Sequence, residues 1–389
     1  MIPYGRQDIN QNDIDSVLEV LRSDYITQGP VVPLFEQMLA SYSGAEHAVA
    51  ANSATSALHI ACLALDLGPG DWLWTSPNTF VASSNCALHC GAKVDFVDID
   101  PLTYNMSVEC LAVKLAQAEQ DNRLPKVVVP VHMAGQSCDM VGIHVLSLKY
   151  GFKIIEDGSH AVGGKYHDQL IGNCKYSDIT VFSFHPVKII TAGEGGMALT
   201  NSEDLSIRMR RFRSHGITST PENMLQRPKD EIWNYQQIDL GFNYRMTDIH
   251  AALGLSQMKR LDEFVTKRHT IANSYEELFT NLPITTPFQH PDNYSTFHLY
   301  IIRLKLNKID TSQQEVFKIL YEENIGANLH YIPVYRQPYY EQLGFKAGYC
   351  PEAEKFYKEA VSLPIFPKLE LNQLEFIVDV LDKKCINIR

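Results

Sequence analysis

Between about residue 47 and residue 200, short apolar runs bounded by turn residues alternate with longer stretches whose apolar residues recur every three or four positions. That alternation predicts an α/β fold, a mainly parallel seven-stranded sheet covered on both faces by helices. The strands it predicts are His47–Ala51, Trp72–Thr75, Lys93–Val97, Lys126–Val131, Lys153–Glu156 and Ile179–Phe184, with Met197–Thr200 as an antiparallel addition. Upstream, Ile14, Val17, Leu18 and Leu21 recur at helical spacing behind Asn12 and Asp13, which predicts a capped amphipathic helix. It leads into the Gly- and Pro-punctuated loop Tyr25-Ile-Thr-Gln-Gly-Pro30, and a second helix around Leu34–Ser41 follows.

A long helical pattern then runs from about Met246 to about Leu278, and the remainder reads as an α+β unit with a strand at His298–Leu304. The division this implies is a large α/β unit over residues 1–255 and a smaller α+β unit over 256–389. With 45% hydrophobic and 20% charged residues in 389, the chain has enough apolar material for two such cores. A formal net charge of -11 disfavours nucleic acid or an anionic membrane as a partner and directs attention to small molecules. No apolar run reaches the ~18 residues that span a bilayer. The eight cysteines contain no CxxC pair and the N-terminus lacks a signal-peptide core, which points to a reduced, cytoplasmic setting. Cys86-Ala-Leu-His89-Cys90 has no second ligand pair at matching spacing, so no metal is expected.

Candidate chemistry begins at strand ends. Lys188 follows the apolar strand around Ile179–Phe184, and glycines follow it in Gly193-Glu-Gly-Gly196. An amine condenses with an aldehyde only when deprotonated, so a lysine in a partly desolvated pocket at a strand end is a candidate Schiff-base nucleophile. The strand ending at Glu156 runs into Asp157-Gly-Ser-His160, which puts a carboxylate where open α/β sheets bind ligands. Asp157 is suited to hold a cationic ring nitrogen, as pyridoxal phosphate chemistry requires, and equally to cap a helix. Lys188 lies 31 positions after Asp157, enough for one crossover and one strand, so both can reach one ring.

After the first strand, Asn52-Ser-Ala-Thr-Ser56 opens a helix with small residues and free amides, which suits a phosphate and also suits a plain N-cap. Phe80 follows another strand end and can cover a ring face, and Ser183 can donate to a phosphate if strand alternation points it there; both also suit a core. The loop His330-Tyr-Ile-Pro-Val-Tyr335 is aromatic and proline-stiffened, as a loop closing over a ligand would be.

Taken in order along nearly the whole chain, these stretches resemble the DegT-type sugar-nucleotide aminotransferases, fold-type I pyridoxal phosphate enzymes. The matching segments are Thr27-Gln-Gly29, Asn52–Leu58, Thr79–Ala82, Glu156–Ala161, Phe182–His185 with Lys188 and Gly193–Gly196, and Asn243-Tyr-Arg-Met246. The resemblance implies Lys188 as the lysine that carries the cofactor and moves the proton, Asp157 as the ring-nitrogen partner and His160 near the ring hydroxyl. It implies Phe80 stacked on the ring and Ala54, Thr55 and Ser183 on the phosphate, with Asn243 reaching in from a second subunit of a homodimer. One departure is Thr191-Ala192, where many relatives carry a second hydroxyl residue.

Ser214-His-Gly216, Asn328–Val334 and Ser362–Pro367 look most like the enzymes of pseudaminic acid synthesis. By that similarity the substrate is a UDP-linked 4-keto-6-deoxy-N-acetyl-L-hexosamine aminated at C4, with L-glutamate as donor. Tyr4, Tyr25, Ile26, Thr27, His330, Tyr331, Ile332, Pro333 and Val334 would surround the nucleotide-sugar. A D-configured UDP-sugar, or C3 of a dTDP-sugar, remains an alternative. A non-catalytic protein on the same fold is a further one, against which the joint presence of Asp157 and Lys188 argues.

Overall fold

The computed structural model describes residues 1–226 and 231–386. Helix α1 (Gln11–Arg22) is started by a capping box in which Asn10 accepts from the Asp13 amide and Asp13 accepts from the Asn10 amide. The cap is therefore Asn10 rather than the Asn12–Asp13 pair expected. The apolar stripe of α1 also faces outward: Ile14, Leu18 and Leu21 are 47%, 37% and 54% exposed. The helix docks instead through buried Asp13, which accepts from Ser256, Gln257 and Arg260 at 2.6, 2.7 and 2.8 Å.

Helix α2 (Val31–Ser43) leads to β1 (His47–Ala51), and α3 (Ala54–Ala64) to β2 (Trp72–Thr75). Then come α4 (Ala82–His89), β3 (Lys93–Phe96), α5 (Val108–Gln120), β4 (Val127–Val129), α6 (Met140–Tyr150), β5 (Lys153–Asp157), β6 (Ile179–Ser183) and β7 (Gly196–Thr200). These seven strands form one sheet in the order β1-β7-β6-β5-β4-β2-β3. Neighbours are parallel from β6 through β3, while β7 runs antiparallel to both β1 and β6. The helical connections between parallel strands cover the two faces, so the carboxyl ends of β1, β2, β4, β5 and β6 converge on one edge.

Side-chain alternation sorts the two faces of β6. Ile179 and Val181 pack in the core that includes Ala57 and Ala61 of α3, whereas Phe182 and Phe184 pack with Phe35 of α2 and Phe264. Ser183 therefore lies on the α3 face.

After helix α7 (Glu203–Arg213), the expected helix from Met246 to Leu278 is two, α8 (Asp248–Met258) and α9 (Leu261–Leu278). Arg260 leaves helical geometry at φ -114° between them, and its guanidinium is held by Asp8 and Asp13. A second core follows from Ile271 to Ile386, built on a three-stranded antiparallel sheet of Ile284–Thr285, Tyr300–Leu304 and Ala360–Leu363. Fully buried Arg268 of α9 donates to the carbonyls of Phe297, His298 and Ile365, which fixes the entry to its central strand. Among the described residues, no helix is long and apolar enough to cross a membrane.

Candidate active site

Lys188 sits in the turn after β6, its amide donating to the His185 carbonyl at 2.9 Å. The loop closes behind it as Thr191 donates to the Phe184 carbonyl at 3.1 Å and accepts from the Gly193 amide at 2.9 Å. The residue is half-buried. Desolvation lowers its amine to about 8, with the Asp157 carboxylate opposing that shift. The sheet edge thus supplies an amine that is partly neutral near pH 7 within electrostatic reach of a carboxylate.

Asp157 ends β5 and is buried. Strand alternation separates it from Glu156, which pairs on the other face with His132 at 2.8 Å and accepts from Ser177 and Thr180. The Asp157 carboxylate accepts from the Ser83 hydroxyl at 2.6 Å and the Ser159 amide at 3.1 Å. Ser83 is a site residue the sequence reading missed; its only signal was a small hydroxyl residue shortly after Phe80.

Imidazoles and phenols complete the enclosure. His160 is buried, packs against His298 at a 4.4 Å centroid distance, and lies 3.3 Å through Nε2 from the Tyr331 hydroxyl. Its Nδ1 is buried without a hydrogen-bond partner. Burial, and then the Lys188 charge, hold His160 well below the usual imidazole range. His298 is driven down by burial first and then by His160 and Lys188. His330 falls to about 3 through burial and Lys188, while its Nδ1 meets the Ser362 hydroxyl at 2.8 Å. Tyr4 packs on His330 with centroids 5.3 Å apart. His298 was also missed, because nothing in its strand-like surroundings distinguishes it from a core histidine.

Where a phosphate cradle is expected, three strand ends meet in register: Ala51 of β1, Gly196 of β7 and Ser183 of β6. A Cβ on Gly196 would come within 2.4 Å of the Ala54 nitrogen and 2.5 Å of the Ser53 carbonyl carbon. The absent side chain is what lets the turn at Ser53–Ala54 lie on β7, beside Ser183 on the same face. Ser53 caps α3 by accepting from the Ser56 amide at 3.1 Å, so the first-turn amides at Ala54 and Thr55 face outward for an anion.

The remaining expected residues divide. Phe80 is 59% exposed between β2 and α4, free to cover a ring and not part of the core. Ile332 is exposed, whereas Pro333 is buried and Val334 is fully buried in the core, its amide donating to the Pro77 carbonyl at 3.0 Å. That end of the segment anchors the loop, and without rearrangement Val334 has no surface to offer a ligand. Tyr25, Ile26 and Thr27 lie exposed on the loop before α2. Among the described residues, no side-chain hydrogen bond or ring contact joins them to the Lys188–Asp157 cluster. Asn243 is exposed too, but its neighbour Tyr244 accepts the Asn52 amide at 2.8 Å, which places it beside the cradle.

Residues 7–382 match the DegT/DnrJ/EryC1/StrS aminotransferase family. The chain belongs to that family. It is 38% identical over 381 residues to the spore coat polysaccharide biosynthesis protein SpsC of Bacillus subtilis, covering 97% of this chain and 95% of that one. It is 36% identical over 382 residues to the UDP-4-amino-4,6-dideoxy-N-acetyl-beta-L-altrosamine transaminase of Campylobacter jejuni, covering 98% and 96%. The solved Helicobacter pylori PseC, an aminotransferase of pseudoaminic acid biosynthesis, superposes with a TM-score of 0.87 at 32% identity, covering 98% of each chain.

The family's cofactor is pyridoxal phosphate. The residues present fit it: an enclosed amine, a buried carboxylate on the same edge, an unpartnered imidazole nitrogen, and a cradle that a Cβ at Gly196 would fill. The enzyme is a pyridoxal phosphate-dependent sugar aminotransferase.

Proposed function

We propose that the chain transfers the amino group of L-glutamate to C4 of a UDP-linked 4-keto-6-deoxy-N-acetyl-L-hexosamine, as in pseudaminic acid synthesis. The observation that carries this reading is the end-to-end similarity to the Campylobacter jejuni transaminase and to PseC. The clustering of Tyr4 and Tyr331 against His330, itself within electrostatic reach of Lys188, supports it, since aromatic and neutral polar groups suit a sugar. The comparable similarity to SpsC favours one alternative, another nucleotide-linked keto-sugar aminated by the same machinery.

When bound, the cofactor would supply an electron sink that makes the Cα proton of the donor removable. Lys188, as the neutral amine, takes that proton and later returns one to the sugar carbon. Asp157 would keep a proton on the ring nitrogen, and Ser83 and the Ser159 amide hold the carboxylate in place. Ser183 and the first amides of α3 would hold the phosphate. The neutral imidazoles of His160, His298 and His330 pack around the reacting centre without adding positive charge beside Lys188. The working unit is a homodimer in which Asn243 completes the neighbouring subunit's cradle.

The test is incubation with pyridoxal phosphate, glutamate and a panel of UDP- and dTDP-linked keto-sugars, with products identified by mass and NMR. Amination at C4 of the UDP-L-sugar is the expected result. Preference for another sugar would retain the aminotransferase and reject this substrate. Lys188→Ala should still bind pyridoxamine phosphate while losing at least about 10³-fold in turnover.

A further inference from the structure

Strand alternation turns Glu156 and Asp157 to opposite faces of β5, and behind Asp157 it leaves a buried polar cluster that the transamination steps do not touch. His132 is fully buried there, with both ring nitrogens engaged. Its Nε2 meets the Glu156 carboxylate at 2.8 Å, and its Nδ1 accepts from the Cys138 amide at 3.1 Å. With Nδ1 an acceptor, the ring's proton sits on Nε2 and is given to Glu156. The other Glu156 oxygen accepts from Ser177 at 2.5 Å and from Thr180 at 3.1 Å. Against the cost of burial, the His132 bond and then the two hydroxyls hold Glu156 below the usual carboxylate range. An imidazole with no free nitrogen has nothing to offer a substrate and acts only through what it holds.

What it holds is the end of β5. The ladder between β4 and β5 pairs Val127 with Lys153 and Val128 with Ile154, then stops, since Pro130 has no amide proton to donate. It resumes as a single bridge between Val131 and Asp157. In that bridge the Asp157 amide donates to the Pro130 carbonyl at 2.9 Å, and the His132 amide donates to the Asp157 carbonyl at 3.1 Å. His132 therefore grips the last two residues of β5 at once, Asp157 through its main chain and Glu156 through its ring. The segment that carries it is itself fixed. Asn105, 2% exposed, accepts from the Met133 amide at 2.8 Å and donates to the carbonyls of Gln136 and Ser137. Ser83 and the Ser159 amide aim the Asp157 carboxylate, whereas His132 fixes the main chain from which it projects.

We propose, on the reading of Asp157 as the ring-nitrogen partner, that His132 is its positioning residue, and that the Glu156–His132 pair thereby sets how firmly Asp157 holds the ring proton. Misplacing a reacting group by about 1 Å through a change away from the chemistry can cost about 10²-fold. Without the His132 ring, Glu156 is a buried carboxylate one donor short, and whatever it does to recover a partner pulls on the strand end beside Asp157. The two ring contacts are separable. In His132→Gln the side-chain amide reaches the place of Nε2 and keeps a donor for Glu156. In His132→Asn the amide oxygen takes the place of Nδ1, and Glu156 loses its donor.

The test uses holoenzyme carrying pyridoxal phosphate isotope-labelled at the ring nitrogen, whose NMR shift followed with pH reports the ring proton rather than turnover. The unaltered enzyme should keep that proton throughout the pH range in which it is folded. His132→Asn should lose it within that range and bind the cofactor about tenfold more weakly, a difference worth one pH unit of hold on the proton. His132→Gln should restore most of both. If His132→Asn does not fold, Glu156→Gln, which leaves His132 in place, carries the same expectation. A folded His132→Asn with the unaltered nitrogen signal and affinity would overturn the proposal, and so would equal losses in His132→Asn and His132→Gln. Asp157→Asn is the separate control: an unchanged ring-nitrogen signal there would reject Asp157 as the partner, whatever His132 does.

Discussion

At the scale of single residues, the site depends on what burial does to charge. The Lys188 amine, lowered to about 8, is mostly protonated below that pH and mostly neutral above it. Only the neutral form condenses with an aldehyde. Reconstitution of the apoenzyme with pyridoxal phosphate, followed by absorbance, should therefore accelerate as pH rises through about 8 and level off above it. Stability has the same sign. The folded pKa lies below the 10.5 of an unperturbed lysine, so burial penalises the native state fully below pH 8, and the penalty is lifted between about 8 and 10.5. A second expectation concerns Ser83. Removing a hydrogen bond to a charged group costs about 1.5–3 kcal/mol, so Ser83→Ala should weaken cofactor affinity by roughly 10- to 100-fold, measured by equilibrium titration of the apoenzyme. Lys188 and Asp157 were legible because each follows an apolar strand that can be read locally. Ser83 and His298 were not, since each contacts a residue over seventy positions away and nothing local marks it.

At the scale of elements, hydrophobic periodicity named the strands well because both faces of this sheet are buried and each run is bounded by turns. It misjudged α1, whose apolar stripe points outward while a buried carboxylate, Asp13, makes the dock. Periodicity reports which residues share a face, and burial of that face is an additional assumption. The break at Arg260 was hidden for a related reason: its cause is an ion pair with Asp8 and Asp13, about 250 residues away in sequence. Gly196 is the element-scale device with the sharpest consequence. Its missing Cβ would collide with backbone rather than with a movable side chain. Gly196→Ala should push the start of α3 off β7 and raise the Kd for pyridoxal phosphate by about 10-fold or more, an overpacking cost of ~1–3 kcal/mol. A folded variant with unchanged cofactor affinity would show that the Ser53–Ala54 turn does not set the phosphate site.

For the whole molecule, the question is what covers the outward stripe of α1 and where Asn243 acts. Ile14, Leu18 and Leu21 give the helix an uncovered apolar face. If a second copy covers it, Leu18→Glu should yield a folded monomer by sedimentation, because a charge at an exposed site costs the isolated chain little and costs a buried interface much. Asn243 allows a stricter test. It is exposed beside its own chain's cradle, so proximity alone does not say which subunit it serves. In the proposed dimer, one site joins Lys188 of the first chain to Asn243 of the second, and the other site joins the reverse pair. Lys188→Ala and Asn243→Ala homodimers should each be inactive or nearly so. When they exchange subunits, half the dimers in an equal mixture are mixed, and each mixed dimer has one site with both residues intact. Activity should then recover to about one quarter of the unaltered enzyme. If Asn243 serves its own chain, every site in the mixed dimers lacks one residue or the other, and no activity returns.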